Sequence, residues 1–485
     1  MALPTIAPRP PFALPEPDRE RLQRHAERAA ARARRSGRPT IAAVTAAIDP
    51  GVDPCAVAFA SRVAGEPWLC LEQPERAGSA LATLGSVAVL EGRGAQRFEA
   101  VASHWRALAG EAVTDPPDGP RGAGLIAAGG FAFADEGGAS APWAPFAPAS
   151  LVVPEVALAR RFSDDGAADV RMTVATAVAP DDLPDEAVAR VLRRVAALRV
   201  APLGVLDPSP TGRRHVGGPM APEHYEAAVA RAVELIRAGE IEKIVLAREV
   251  DVHAPGSHDA AAVFAVLREA FAGCFVFCVG RGDATLIAAS PELLIRREGL
   301  RASTLALAGS MRRSADPAVD DHLGEQLLRS EKDRAEHAIV ARRILRVLRS
   351  RAVWATAPPE PELVRIANIQ HLGTPIRAQL AEPVGAVELA GMLHPTPAVG
   401  AEPRERAVDL IPALEGIDRG WYAGPIGWVD TNDDGEFCIA LRCALLRGEV
   451  ARCYAGVGVV ADSDPAAELA ETEVKLQALL PLLAG

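Results

Sequence analysis

Two strand-like runs, CFVFCVG at 274–280 and ATLIAAS at 284–290, flank a turn at RGDA. A link that short cannot carry the chain across the face of a sheet, so the two strands must pair antiparallel. The same reasoning applies near the C-terminus, where PIGWVD, EFCIALRCALLRG and EVARCYAGVGVV follow one another with little but turn residues between them. In the first half, PTIAAVTAAI, GSVAVLEG, GAGLIAAGGFAFA, ASLVVPEVALARRF and DVRMTVATAVA read as further strands, closed by a helix at DEAVARVLRRVAALR. These runs predict a large mixed α/β chain whose sheets are built from antiparallel strands.

Helical segments punctuate that pattern. A helix ends at RAGE, with Gly239 as its stop, and the strand EKIVLAREVDV follows; alternation puts Lys243, Val245 and Ala247 on one face and Ile244, Leu246 and Val250 on the other. DHLGEQLLRSEKDRAEHAIVARRILRVLRS, at 321–350, reads as one long helix, and a last helix starts near Pro465 with Ser463 or Asp464 as its cap. The division this suggests is an N-terminal arm over 1–40, a variable half over 41–214 and a catalytic region over 215–485. The Pro/Gly-rich connector at 201–223 is either a domain boundary or a surface crossing.

Composition narrows the function. The chain has 485 residues, 49% hydrophobic and 24% charged, enough apolar material for a sizeable core. Its net charge of -11, with no long basic run after the first forty residues, argues against nucleic acid as a partner. The apolar stretch at 122–134 is too short and too Gly-rich to span a bilayer, and the N-terminus lacks a secretory pattern, so a soluble cytoplasmic protein is expected. Seven cysteines, at 55, 70, 274, 278, 438, 443 and 453, form no CxxC pair and read as reduced structural residues.

Lysine is the scarce residue. Of 52 basic side chains only Lys243, Lys332 and Lys475 are lysines, and all three fall beyond residue 240. A chain that uses Arg almost wherever a surface cation will do keeps Lys where a compact ammonium, or one able to lose its proton, is needed.

Two of those lysines sit beside paired acids. Asp333 and Glu336 are i and i+3 on one helix; Glu468 and Glu471 repeat the spacing on the last helix, with Lys475 a further turn along. From spacing alone these are either solvated helix faces or an oxygen-only site suited to Mg²⁺, and no Cys or His cluster competes for zinc. DTNDDG at 430–435 begins like a calcium loop, but Leu441 stands at its twelfth position, and a hairpin turn fits better. GVGVVA at 456–461 is not followed by the βαβ unit that dinucleotide binding requires.

Taken together, residues 215–482 resemble the chorismate-utilising enzymes, the family of isochorismate, salicylate, anthranilate and aminodeoxychorismate synthases. The resemblance rests on KIVLARE (243–249), SPELL (290–294), LAGS (307–310), SEKDRAEH (330–337), QHLGTPI (370–376), HPTPAVG (394–400), DRGWYAGPIGW (418–428), ALRCA (440–444), YAGVGVV (454–460) and ELAETEVKL (468–476). It implies a single large domain of α/β (α+β) class in which antiparallel sheets pack within surrounding helices.

By the same resemblance Lys243 is the general base that activates water, and Glu292 the general acid that protonates the departing 4-hydroxyl. Glu336 and Glu471 would hold Mg²⁺, with Asp333 and Glu468 in support. Arg442, Lys475 and the backbone near Gly456 would take the substrate's carboxylates; Gly309 and Ser310 would contact the ring carboxylate, His371 would orient, and Ala398 and Tyr422 would stand close by. Lys332 is expected to pair within the acid cluster. Ala308 stands where the aminating branch carries a nucleophilic lysine.

The implied reaction is therefore the isomerisation of chorismate to isochorismate, with no redox cofactor, no glutaminase subunit and a monomer as the expected state. Salicylate synthase is the nearest alternative; Ala398, where salicylate synthases tend to carry a hydroxyl, favours the isochorismate branch, whereas Tyr422 suits either. A catalytically silent chorismate-binding relative is a second alternative, and the filled acid, base and metal positions speak against it.

Overall fold

Strand pairing follows the turn lengths. In the computed structural model, which describes residues 12–207, 212–407 and 409–485, Phe275–Gly282 and Ala284–Ser290 form an antiparallel hairpin, as do Pro425–Asp430 and Gly435–Ile439 around DTNDDG. The strands assemble into a twelve-stranded and a ten-stranded sheet. Both draw on the two halves of the chain: Gly65–Gln73 pairs with Phe275–Gly282, placing Cys70 opposite Cys278, and Ile126–Phe131 pairs with Pro425–Asp430. Both halves thus share the same sheets, and within the 201–223 connector residues 208–211 lie outside the described set.

The inner faces of the two sheets share the main core, with Leu69, Phe277 and Leu286 on one side and Phe131, Ile426 and Phe437 on the other. The outer face of the larger sheet is covered too: Val276, Cys278, Ile287 and Cys453 pack with Phe264 and Leu267 of a covering helix. Burial on both faces explains why CFVFCVG is apolar throughout instead of alternating. Each fully buried large side chain such as Phe277 contributes about 2–3 kcal/mol of transfer free energy. All seven cysteines are buried free thiols. Among the described residues no helix is long and apolar enough to cross a membrane.

One expectation changes. The segment 321–350 is two helices, Pro317–Arg329 and Glu331–Arg349, because the Ser330 side chain accepts a hydrogen bond from the Asp333 N–H and starts a new helix there. Within the N-terminal segment, the helix Glu16–Ser36 docks through Leu22, Ala26, Ala29, Ala30 and Ala33, and residues 1–11 lie outside the described set.

Candidate active site

Lys243 opens the strand Lys243–His253, which pairs antiparallel with Val450–Val459 so that Val245 faces Gly458. The lysine is fully buried, and its Nζ lies 2.8 Å from Glu336 Oε1 on the Glu331–Arg349 helix. Gly458 makes this contact possible: a Cβ there would stand 2.2 Å from Glu336 Oε1 and 2.7 Å from Lys243 Cε. Gly456, two residues back on the same face, leaves equal room for the Tyr422 hydroxyl, 2.7 Å from where its Cβ would be.

Glu292 follows the Ala284–Ser290 strand and is fixed through its backbone. Its N–H donates to Ser290 Oγ, and its carbonyl accepts from the Ile439 N–H. Burial lifts its carboxyl to about 8, and Lys243 and Lys475 pull it back only in part. It is therefore mostly protonated at neutral pH and able to donate.

Arg442 sits where the chain turns between Gly435–Ile439 and Cys443–Arg447, at a left-handed φ of 47°. Its Nη2 donates to His371 Nε2. Arginine is always a donor, so Nε2 must be unprotonated and the imidazole proton lies on Nδ1, within reach of the Gly309 carbonyl (3.1 Å) and Ser310 Oγ (3.1 Å). Burial, Arg442 and Lys475 together hold His371 well below its ordinary value, in keeping with a neutral ring. Arg442 Nη1 is buried without a hydrogen-bond partner among the described residues. A guanidinium held by His371 with one N–H group left unpartnered is suited to an anionic ligand.

These groups surround one cleft, about 730 Å³ of atom-free space including its open mouth. Glu292, Ala308, Gly309, Ser310, Glu336, His371, Ala398, Tyr422, Arg442, Gly456, Glu471 and Lys475 all line it. Lys243 stands immediately behind Glu336. Gly309 forms a bulge between paired Ala308 and Ser310, and its φ of 72° favours glycine. Sequence reasoning missed Val245, Val399 and Tyr454 in the lining; Tyr454 stacks on Tyr422 at 5.0 Å and heads the YAGVGVV motif, which was the available signal.

The four helix acids converge beside the cleft, and three of them are ion-paired to the three lysines of the chain: Glu336 to Lys243 at 2.8 Å, Glu468 to Lys332 at 2.7 Å, Glu471 to Lys475 at 2.8 Å. The scarce lysines thus all serve one acidic cluster. Burial lifts Asp333 above the usual carboxylate range, with Glu336 and Glu471 adding to it, and it lifts Glu468 despite Lys332. Burial pulls Lys332 down, but its pairing with Glu468 leaves it above its ordinary value. No three of the four acids bring oxygens within 4.8 Å of one another. An all-oxygen donor set whose negative charge the lysines do not fully balance nevertheless fits a hard divalent cation such as Mg²⁺.

Two other features carry no such chemistry. Asp53, Cys55 and Glu72 cluster within 4.8 Å, but Arg268 pairs with Asp53 and lies with Arg160 near Glu72, while burial keeps the Cys55 thiol protonated. A roomier hollow of about 870 Å³ by Met220, Leu246 and Leu476 is lined mainly by apolar groups.

A family profile described as chorismate binding enzyme matches residues 26–484. The salicylate biosynthesis isochorismate synthase of Pseudomonas aeruginosa is 38% identical over 95% of this chain and 93% of its own length. Isochorismate synthase MenF of Bacillus subtilis is 39% identical over 53% of this chain and 55% of its own. Among solved structures, MenF of Escherichia coli, described as a menaquinone-specific isochorismate synthase, superposes with a TM-score of 0.74 at 26% identity over 92% of this chain and 95% of that one.

Proposed function

Because the chain belongs to the chorismate-binding enzymes, we propose that it converts chorismate to isochorismate, adding water at C2 while the C4 hydroxyl leaves and the ring double bonds shift. The observation that carries this reading is one cleft lined by a largely protonated Glu292 and by Glu336, whose carboxylate pairs with the buried Lys243 behind it. Catalysis of this kind needs a base and a protonated acid brought close to one substrate. The names of the relatives point the same way.

In this mechanism Lys243, in its neutral amine form, takes a proton from the incoming water, and Glu292 gives its proton to the departing hydroxyl, which leaves as water. The proton count closes over the two groups. Arg442, held by His371, pins a substrate carboxylate with its free N–H, and Lys475 adds a second cation. Glu336 and Glu471, with Asp333 and Glu468 in support, would hold Mg²⁺, which would supply positive charge against the ring carboxylate. Ala308 offers no amine to attack the ring, which speaks against the lysine-nucleophile branch, and water as the nucleophile rests on Lys243.

Incubation with chorismate and Mg²⁺, followed by mass and fluorescence detection, should yield isochorismate without salicylate. Prompt salicylate and pyruvate would move the chain to the salicylate branch, and chorismate binding without turnover would make it a silent relative. Gly458→Ala should lower kcat at least ~100-fold with folding retained, since the new methyl occupies the space of the Lys243–Glu336 contact. Turnover near that of the parent protein would show that this contact is not needed.

A further inference from the structure

Beneath the cleft lies a second buried ion pair, which the mechanism above does not use. Glu415 ends the short helix Leu410–Glu415, and Arg419 follows four residues later in the DRGWYAGP segment. Their side chains are 1% and 3% exposed. Arg419 Nε donates to Glu415 Oε2 at 3.0 Å, its Nη1 to the Val399 carbonyl at 2.7 Å, and its Nη2 to the Val245 carbonyl at 2.9 Å. Glu415 Oε1 accepts from the Ala247 N–H at 2.6 Å. The guanidinium is centred 4.2 Å from the ring of Phe133.

The placement of those carbonyls is informative. Val245 is two residues from Lys243 on the same strand, and Val399 adjoins Ala398 in the neighbouring segment; both valines line the cleft. Ladder pairing between this strand and 401–402 covers only Lys243 and Ile244. On the two sides of it the segments share one backbone bond each, from the Glu242 N–H to the Glu402 carbonyl and from the Val245 N–H to the Gly400 carbonyl. The arginine fork then supplies the N–H groups that a continuing strand would have provided. A planar fork fixes two carbonyls in relative position, which a single ammonium cannot do.

We propose that Arg419, held by Glu415, is a positioning residue that sets the distance between the strand of Lys243 and the Ala398–Val399 wall, and so the alignment of the base with the ring. This rests on the isochorismate synthase reading. Its effect should fall on turnover and spare binding, because the carboxylate contacts come from other elements.

The test compares Arg419→Lys and Glu415→Gln with the parent protein, recording thermal midpoint, chorismate Kd by intrinsic fluorescence, and kcat for isochorismate. Arg419→Lys should lower kcat at least 30-fold with Kd within threefold. Glu415→Gln, which keeps an acceptor for the Ala247 N–H, should lower kcat by three- to tenfold, again with Kd preserved. A kcat within threefold of the parent in folded Arg419→Lys overturns the proposal, and so does a parallel loss of kcat, affinity and thermal midpoint in both variants. If Arg419→Lys does not fold, Glu415→Gln decides, and a kcat within twofold of the parent overturns it. Absence of isochorismate from the parent protein would instead sink the functional reading, which the parent control detects separately.

Discussion

Lys243→Met is expected to remove water addition almost completely, lowering kcat about 10³-fold, which is the scale of a lost general base. Chorismate affinity should stay within a few-fold, because the groups suited to its carboxylates, Arg442 and Lys475, come from other elements. Stability should fall as well, since Glu336 loses its 2.8 Å partner and is left as a largely buried, uncompensated carboxylate. Lys243→Arg should not rescue activity: a guanidinium keeps the charge but cannot shed a proton to act as a base. Rapid-quench turnover beside a binding titration separates these outcomes, and an equal loss of affinity and turnover would count against a general base.

Glu292→Gln should be nearly as inactive, with the opposite effect on stability. The carboxyl of Glu292 lies at about 8 because of burial, so in the parent protein the donating form persists below that pH and is lost as pH rises through it. The rate should accordingly decline on the alkaline side near pH 8, and a decline centred near pH 5 would contradict the assignment. The linkage sign follows from the same shift. A folded value raised above the unfolded one gives stability that is fully present below the unfolded value, near 4.5, and is lost as pH climbs to about 8. Glutamine has no proton to lose, so Glu292→Gln should be more stable than the parent by on the order of 4 kcal/mol at pH 8, and equal to it near pH 4. Thermal melts of both proteins across that range test the difference.

Much of the site could be read in advance because it is written in short stretches of chain. The scarcity of lysine pointed to positions 243, 332 and 475, and all three pair with the acids of two helices. The i,i+3 spacing put Asp333 with Glu336 and Glu468 with Glu471 on common helix faces, but spacing could not say whether those faces met each other or water. The break at Ser330 was missed because apolar periodicity runs through it, and only the capping bond to Asp333 reveals the new helix. The strands Gly65–Gln73 and Ser79–Leu84 and the helix Arg97–Glu111 were missed as well, since their burial depends on partners far along the chain.

What the sequence decided alone is therefore local: strand pairs joined by short turns, helix caps, and an inventory of chemistry in which lysine is too rare to be incidental. What only the tertiary structure decided is which of those groups share an enclosed space. The tautomer of His371 follows from Arg442, seventy-one residues away. The protonated state of Glu292 follows from burial between elements that are not neighbours in sequence, and the Arg419 fork bridges segments some 150 residues apart. Hydrogen-bond direction and desolvation depend on distances in space, and a one-dimensional pattern carries no measure of either.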